Sequence, residues 1–242
     1  MVDIHCHILP GIDDGSKSWE MTAEMCHVAI DDGITHMVAT PHCNDSYQYN
    51  RERFTEMLGQ LSDAAEGKLT FSLGCDFHFS YDNIQDALAN PRRYTIGESQ
   101  YLLIEFSDYG IPPSVSQDLF AFCSRGLVPI ITHPERNQPL LKNAEMVLDM
   151  VDMGCLVQVT ANAVTGAWGN RSRKMVEWLL QHEAVHVIAS DAHDPVRRKP
   201  VMSEAREVVE RLMGTHVAEA LVTHNPEAIV EGKSVPYQPM MR

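Results

Sequence analysis

Hydrophobic and polar residues alternate along this chain in short blocks whose period switches repeatedly from two to nearly four. Seven runs have strand character: Val2–His7, Ile34–Thr40, Leu69–Phe77, Tyr101–Glu105, Val128–Thr132, Cys155–Thr160 and Val185–Ser190. Between them lie amphipathic stretches of helical period: Ser18–Asp32, Arg51–Glu66, Ser116–Arg125, Ala144–Met153 and Arg171–His182. The first four are each followed directly by a glycine, a common helix stop. Ser203–Met213 follows the last strand, and Ala218–Val222 and Pro226–Val230 read as short terminal helices. Strand–helix alternation of this kind predicts an α/β fold with a parallel sheet, closed or nearly closed into a barrel. No linker or low-complexity stretch divides the chain, so a single domain over 1–242 is expected.

In the first strand the period has chemical content. Val2, Ile4, Cys6 and Ile8 share one face, the side a core would bury, while His5 and His7 leave the other face together. Two imidazoles on one face can converge on one ion. Parallel barrels carry their chemistry at the C-terminal strand ends, and similar residues recur there. Asp14 lies in the loop after the first strand, and His42 follows Thr40-Pro41 after the second. Asp76 and His78 end the third, Glu105 the fourth, and His133-Pro134-Glu135-Arg136 the fifth; the last runs into Asp191 and His193. Each alone has a plainer reading: Asp14 as a helix cap, Glu105 as a lysine partner, His42 as a polar loop residue. Together they form the donor set of a multinuclear divalent site, with carboxylates to bridge ions and imidazoles to cap them.

Composition narrows the classes. A formal charge of −14 argues against a nucleic-acid surface, and the short Arg197-Arg198-Lys199 cluster reads as a solvated loop or at most a local contact for an anionic substrate. No apolar run is long enough for membrane insertion, and no signal-peptide h-region precedes the first strand, so a cytoplasmic location is expected. The six scattered cysteines read as buried thiols in a reducing compartment. None has an arginine six positions on, where Ile12, Asp32, Tyr49, Tyr81, Pro129 and Ala161 stand, which excludes the usual cysteine-phosphatase loop. No Gly-x-Ser-x-Gly elbow supports a serine hydrolase.

The ordered motifs DIHCHILPGIDDGS (3–16), TPH (40–42), LLIEF (102–106), THPERN (132–137), IASDAH (188–193) and NPEAI (225–229) resemble the PHP (polymerase and histidinol phosphatase) superfamily. More closely, they resemble the bacterial manganese-dependent protein-tyrosine phosphatases of capsule and exopolysaccharide operons. The resemblance implies a distorted (β/α)7 TIM-like barrel with three divalent metal ions, manganese foremost, with iron or zinc also compatible with the donors. It implies one ion on His5, His7 and Asp191, with Asp76 bridging to a second that adds Glu105 and His133. A third would take Asp14, His42 and His193. Arg136 would hold phosphoryl oxygens, and Asp191 or His193 would assist through water. The family usually has glutamate and arginine where this chain has Asp76 and His78, a departure that bears on metal preference and substrate class.

The implied reaction is hydrolysis of protein phosphotyrosine by a metal-activated hydroxide, with the tail of a membrane-associated tyrosine kinase of polysaccharide export as the expected partner. Two other readings remain: a small-molecule phosphomonoesterase such as a histidinol-phosphate phosphatase, and a non-catalytic metal-binding regulatory module. Two rim segments are candidates for substrate contact, 44–50 with Tyr47 and Tyr49, and 107–113.

Overall fold

The computed structural model describes residues 1–108 and 110–238. Its nine strands are β1 (Val2–Cys6), β2 (His36–Ala39), β3 (His42–Cys43), β4 (Thr70–Leu73), β5 (Asp76–His78), β6 (Tyr101–Glu105), β7 (Val128–Thr132), β8 (Leu156–Thr160) and β9 (Val187–Ala189). All pairings are parallel, in a three-stranded sheet ordered β1-β2-β4 and a six-stranded sheet ordered β3-β5-β6-β7-β8-β9. The expected Leu69–Phe77 strand is thus interrupted, and β3 is an added short strand beyond the expected Ile34–Thr40. Pro41, which has no N–H to donate, separates β2 from β3, and Gly74-Cys75 separates β4 from β5. Backbone hydrogen bonds from Gly74 N to Ala39 O (2.8 Å) and Asp76 N to Pro41 O (3.1 Å) keep the broken segments side by side. At the other margin, Asp191 N donates to His5 O and His7 N to Ala192 O, both at 2.9 Å, joining the exit of β9 to β1.

The helices are α1 (Trp19–Asp31), α2 (Arg51–Ala64), α3 (Tyr81–Ala89), α4 (Val115–Ser124), α5 (Gln138–Lys142), α6 (Glu145–Asp152), α7 (Ala161–Thr165), α8 (Asn170–Gln181), α9 (Ser203–Met213), α10 (Thr215–Glu219) and α11 (Asn225–Val230), with a π-helical turn over Ala220–His224. Ser18 and Asn50 cap α1 and α2 by accepting from Met21 N and Arg53 N. Helices α3, α5 and α7 add to the expected set. In α3 only Ile84 and Ala87 are buried, too weak an apolar stripe to stand out in the sequence.

Burial explains where the site lies. Every residue of β1 and β8 is buried, so these strands are covered on both faces. In β6, Leu102 and Ile104 join the main apolar cluster, whereas Tyr101 and Leu103 join a smaller one with Ile130, Leu156 and Val187. One step further along that second face stands Glu105, and the same alternation puts Thr132, Gln158 and Asp191 after Ile130, Leu156 and Ala189. One face of the sheet therefore changes from apolar to polar at its C-terminal end. All six cysteines are free thiols, five of them buried.

Candidate metal centre

Imidazoles and carboxylates converge at that polar end. His5 Nε2 lies 3.5 Å from Asp76 Oδ2 and 3.6 Å from Asp191 Oδ1, and His7 Nε2 lies 3.5 Å from Asp191 Oδ1. His42 Nδ1 is 3.0 Å from Asp76 Oδ2, while its Nε2 is 3.3 Å from Asp14 Oδ1; His193 Nε2 reaches the same Asp14 oxygen at 3.4 Å. Glu105 faces His42 and His133, each at 3.7 Å. Three overlapping groups have donor atoms close enough to share an ion: His7, Asp14, His42 and His193; His5, His7 and Asp76; and His42, Asp76 and Glu105. His133 and Asp191 border these groups through Glu105 and through His5 and His7.

Asp76 tests whether this set suits a cation. It is almost wholly buried, yet neither carboxylate oxygen accepts a hydrogen bond, and His42 Nδ1 also makes none although it lies 3.0 Å away. A buried carboxylate without hydrogen bonds is costly. Hard carboxylate oxygens beside imidazole nitrogens are donors that suit a divalent ion.

The protein interior orients the imidazoles. His7 Nδ1 is 2.8 Å from Asp13 Oδ2, and His5 Nδ1 is 2.9 Å from Gln158 Oε1, so each ring can donate backward and leave Nε2 free toward the centre. Asp13 is itself held by Gly15 N (2.9 Å) and His42 N (3.1 Å). Gly15 must be glycine, because a Cβ there would lie 2.2 Å from His7 O. Neither Asp13 nor Gln158 is among the candidates read from the sequence; the only hint of Asp13 is that it adjoins Asp14 in GIDDGS.

Charge is arranged unevenly. Burial disfavours the charged form of His5, but Asp76 and Asp191 outweigh it and lift the pKa to about 9. For His42 burial is likewise overcome, chiefly by Asp14 and Asp76, which raise it to about 11. Burial and the Arg136 charge push His133 down to about 3, and burial with the His7 charge pushes His193 down to about 4. Burial alone would raise the Asp191 carboxyl, yet His5, His7, Arg136 and Arg198 together hold it well below its ordinary range. Ionised Asp191 is therefore suited to accepting hydrogen bonds rather than donating a proton.

Its two oxygens face different partners. Oδ1 looks toward the histidines, and Oδ2 accepts from both Arg136 Nη1 and Arg198 Nη2, the latter at 2.8 Å. Arg198 thus belongs to the site, although its cluster reads from the sequence as a solvated loop or at most a local contact for an anionic substrate; only folding brings it beside Arg136. Two non-glycine residues here have left-handed backbone, His133 (φ 34°) and Asp191 (φ 51°), a strain of about 1–3 kcal/mol each that typically accompanies function. Buried Glu135 anchors the turn between His133 and Arg136 by accepting from Thr160 N and Oγ1, both at 2.8 Å.

Beside the centre opens a groove of about 490 Å³ lined by Asp14, His42, Tyr47, His78, Glu105 and Asp108, among others. Tyr47 stacks on His42 with ring centroids 5.9 Å apart. His78, half-buried, has Nδ1 3.8 Å from Glu105. Tyr49 does not reach the rim: it is buried and donates to Gly74 O. In the 107–113 segment, Tyr109 lies outside the described residues.

Comparison with known proteins places the chain in a family. A family model of CpsB/CapC proteins of capsular polysaccharide synthesis matches residues 1–231. CapC of Staphylococcus aureus is 35% identical over 206 residues, covering 84% of this chain and 80% of the relative. The tyrosine-protein phosphatase YwqE of Bacillus subtilis (strain 168) is 30% identical over 249 residues, covering 100% of this chain and 97% of the relative. A crystal structure from the study of YwqE of Bacillus subtilis and CpsB of Streptococcus pneumoniae, described as unique metal-dependent tyrosine phosphatases, superposes with a TM-score of 0.92 at 29% identity, covering 100% of both chains. The chain belongs to the CpsB/CapC family of capsular polysaccharide synthesis proteins.

Proposed function

We propose that this protein is a metal-dependent protein-tyrosine phosphatase, a phosphoric monoester hydrolase working as one domain over 1–242. The observation that carries this reading is the juxtaposition of a histidine–carboxylate cluster around Asp76 with two guanidinium groups on Asp191. Its ligands would be His5, His7, Asp14, His42, Asp76, Glu105, His133, Asp191 and His193, holding three divalent ions, with manganese the expected metal. The connection of β9 to β1 supports a distorted seven-unit barrel. When bound, such ions lower the pKa of water toward about 7 and offset charge on phosphoryl oxygens.

The chain supplies the rest. Arg136 and Arg198 present N–H groups to the phosphoryl oxygens, and ionised Asp191 keeps both forks turned to the centre. Asp13 and Gln158 hold His7 and His5 in one tautomer. The groove beside Tyr47 and His78 receives the tyrosine ring and neighbouring peptide. Water attacks phosphorus, the bond from phosphorus to the tyrosine oxygen breaks, and the phenolate leaves and takes a proton from solvent. The substrate would be a phosphotyrosine protein, with the tail of a membrane-associated tyrosine kinase of polysaccharide export as the partner. A cytoplasmic location fits a chain in which no described helix is long and apolar enough to cross a membrane.

The test compares kcat/KM of manganese-loaded protein on a phosphotyrosine peptide, a phosphoserine peptide, histidinol phosphate and a phosphodiester. Preference for the phosphotyrosine peptide is expected. Preference for histidinol phosphate would reassign the substrate, and no turnover of any of them would leave only a metal-binding role.

A further inference from the structure

Trp168 lies outside the histidine–carboxylate cluster, yet both guanidinium groups of the site rest against its indole. Arg136 Cζ is 4.0 Å from the ring centroid and Arg198 Cζ is 5.5 Å away. Both arginines also donate to one oxygen, Asp191 Oδ2. A single carboxylate does not neutralise two neighbouring cations, and that carboxylate also faces His5 and His7. The electron-rich indole face supplies further attraction from another side.

The backbone places this ring deliberately. Helix α7 ends at Gly166 (φ 87°), and Gly169 (φ 93°) follows three residues later; both conformations are ones that side-chain-bearing residues rarely adopt. Gly169 N donates to Gly166 O at 2.9 Å, and Trp168 N donates to Asn162 O at 3.3 Å. The Gly-Ala-Trp-Gly turn is thereby closed on itself and tied to α7. It presents the indole to the arginines instead of burying it in the core.

We propose that Trp168 is a positioning residue for phosphoryl recognition, holding the Arg136 and Arg198 guanidiniums side by side and turned toward the phosphate. This rests on the phosphatase reading above. Long arginine side chains lose rotamer freedom when they bind, and a wall that restricts them beforehand lowers that cost. The contribution should be shared by substrate and product, because both carry the phosphoryl group. It should therefore affect KM and the inhibition constant of inorganic phosphate more than kcat.

The experiment uses manganese-loaded full-length protein. Trp168→Ala is expected to raise both KM for a phosphotyrosine peptide and the inhibition constant of inorganic phosphate by about tenfold, with metal content and thermal midpoint unchanged. Trp168→Phe, which keeps an aromatic face, should stay within about threefold of wild type. In a Trp19→Phe, Trp178→Phe background Trp168 is the sole tryptophan, and its emission should titrate with phosphate at the inhibition constant. Wild-type constants in Trp168→Ala, equal impairment in Trp168→Phe, loss of metal or fold in the alanine variant, or emission blind to phosphate would each overturn the proposal. If the wild-type chain hydrolyses no phosphotyrosine peptide but Trp168 emission in the Trp19→Phe, Trp178→Phe background still follows phosphate, the phosphatase reading fails and the positioning role stands.

Discussion

Asp13 Oδ2 lies 2.8 Å from His7 Nδ1, while the other ring nitrogen, Nε2, faces His5 and Asp191. The pair is buried, and Gly15 N and His42 N also donate to Asp13. It fixes the direction in which His7 Nε2 points. Outer-shell carboxylates of this kind commonly account for about 10–100-fold in metal affinity. Asp13→Ala should therefore lower manganese affinity by that order in a chelator competition while the far-ultraviolet circular dichroism is retained. Unchanged affinity would show that the ring is held by other contacts.

Asp76 stands at the intersection of two ligand groups and has no hydrogen bond to satisfy either oxygen. Asp76→Ala is expected to lose metal and activity together. Asp76→Glu, which adds a methylene and retains the charge, should keep metal. Full metal content in the alanine variant, measured by elemental analysis, would remove Asp76 from the centre.

Arg136 and Arg198 share Asp191 Oδ2 but differ from metal ligands in what their loss should do. Alanine at either position should lower kcat/KM by about 100-fold with metal content intact. Arg136→Lys should remain impaired by about tenfold or more, because an ammonium does not reproduce the planar fork. A lysine variant at the wild-type rate would contradict bidentate phosphoryl binding.

His186, at the opposite end of the strands, makes a pH prediction independent of metal. Its Nδ1 accepts from Val157 N at 3.1 Å, which requires a neutral ring, and burial pushes its pKa from 6.5 to about 4. The unfolded chain then binds more protons than the folded one between those values. The stabilisation is present in full above about pH 6.5 and declines as pH falls toward 4, by at most about 1.4 kcal/mol per unit. Denaturant unfolding of His186→Gln should weaken less steeply over this range than wild type; equal slopes would contradict the assignment.

Much of the centre was legible because period two puts His5 with His7, and because Asp76, Glu105 and Asp191 stand at or just past the C-terminal ends of the expected third, fourth and seventh strands. Other features depend on long-range contacts and leave no local pattern. Arg198 reads as a solvated charge until the loop after β9 folds back onto Asp191. Gln158 is one polar residue in a buried strand, and its role exists only opposite His5. Tyr49 resembles a rim aromatic because its loop is polar, but its ring packs against Phe54 and Tyr94. Nine strands replace seven because the Gly74-Cys75 step breaks a ladder that hydrophobicity alone reads as continuous, and because His42–Cys43, beyond Pro41 and the end of the expected second strand, pairs with β5.

The most direct test of the central claim is a metal titration of stripped protein, reading kcat/KM on a phosphotyrosine peptide beside bound manganese. The proposed function predicts negligible rate without metal and recovery that saturates as about three ions bind per chain. Full activity in protein shown to be free of metal, or saturating manganese without turnover, would contradict it.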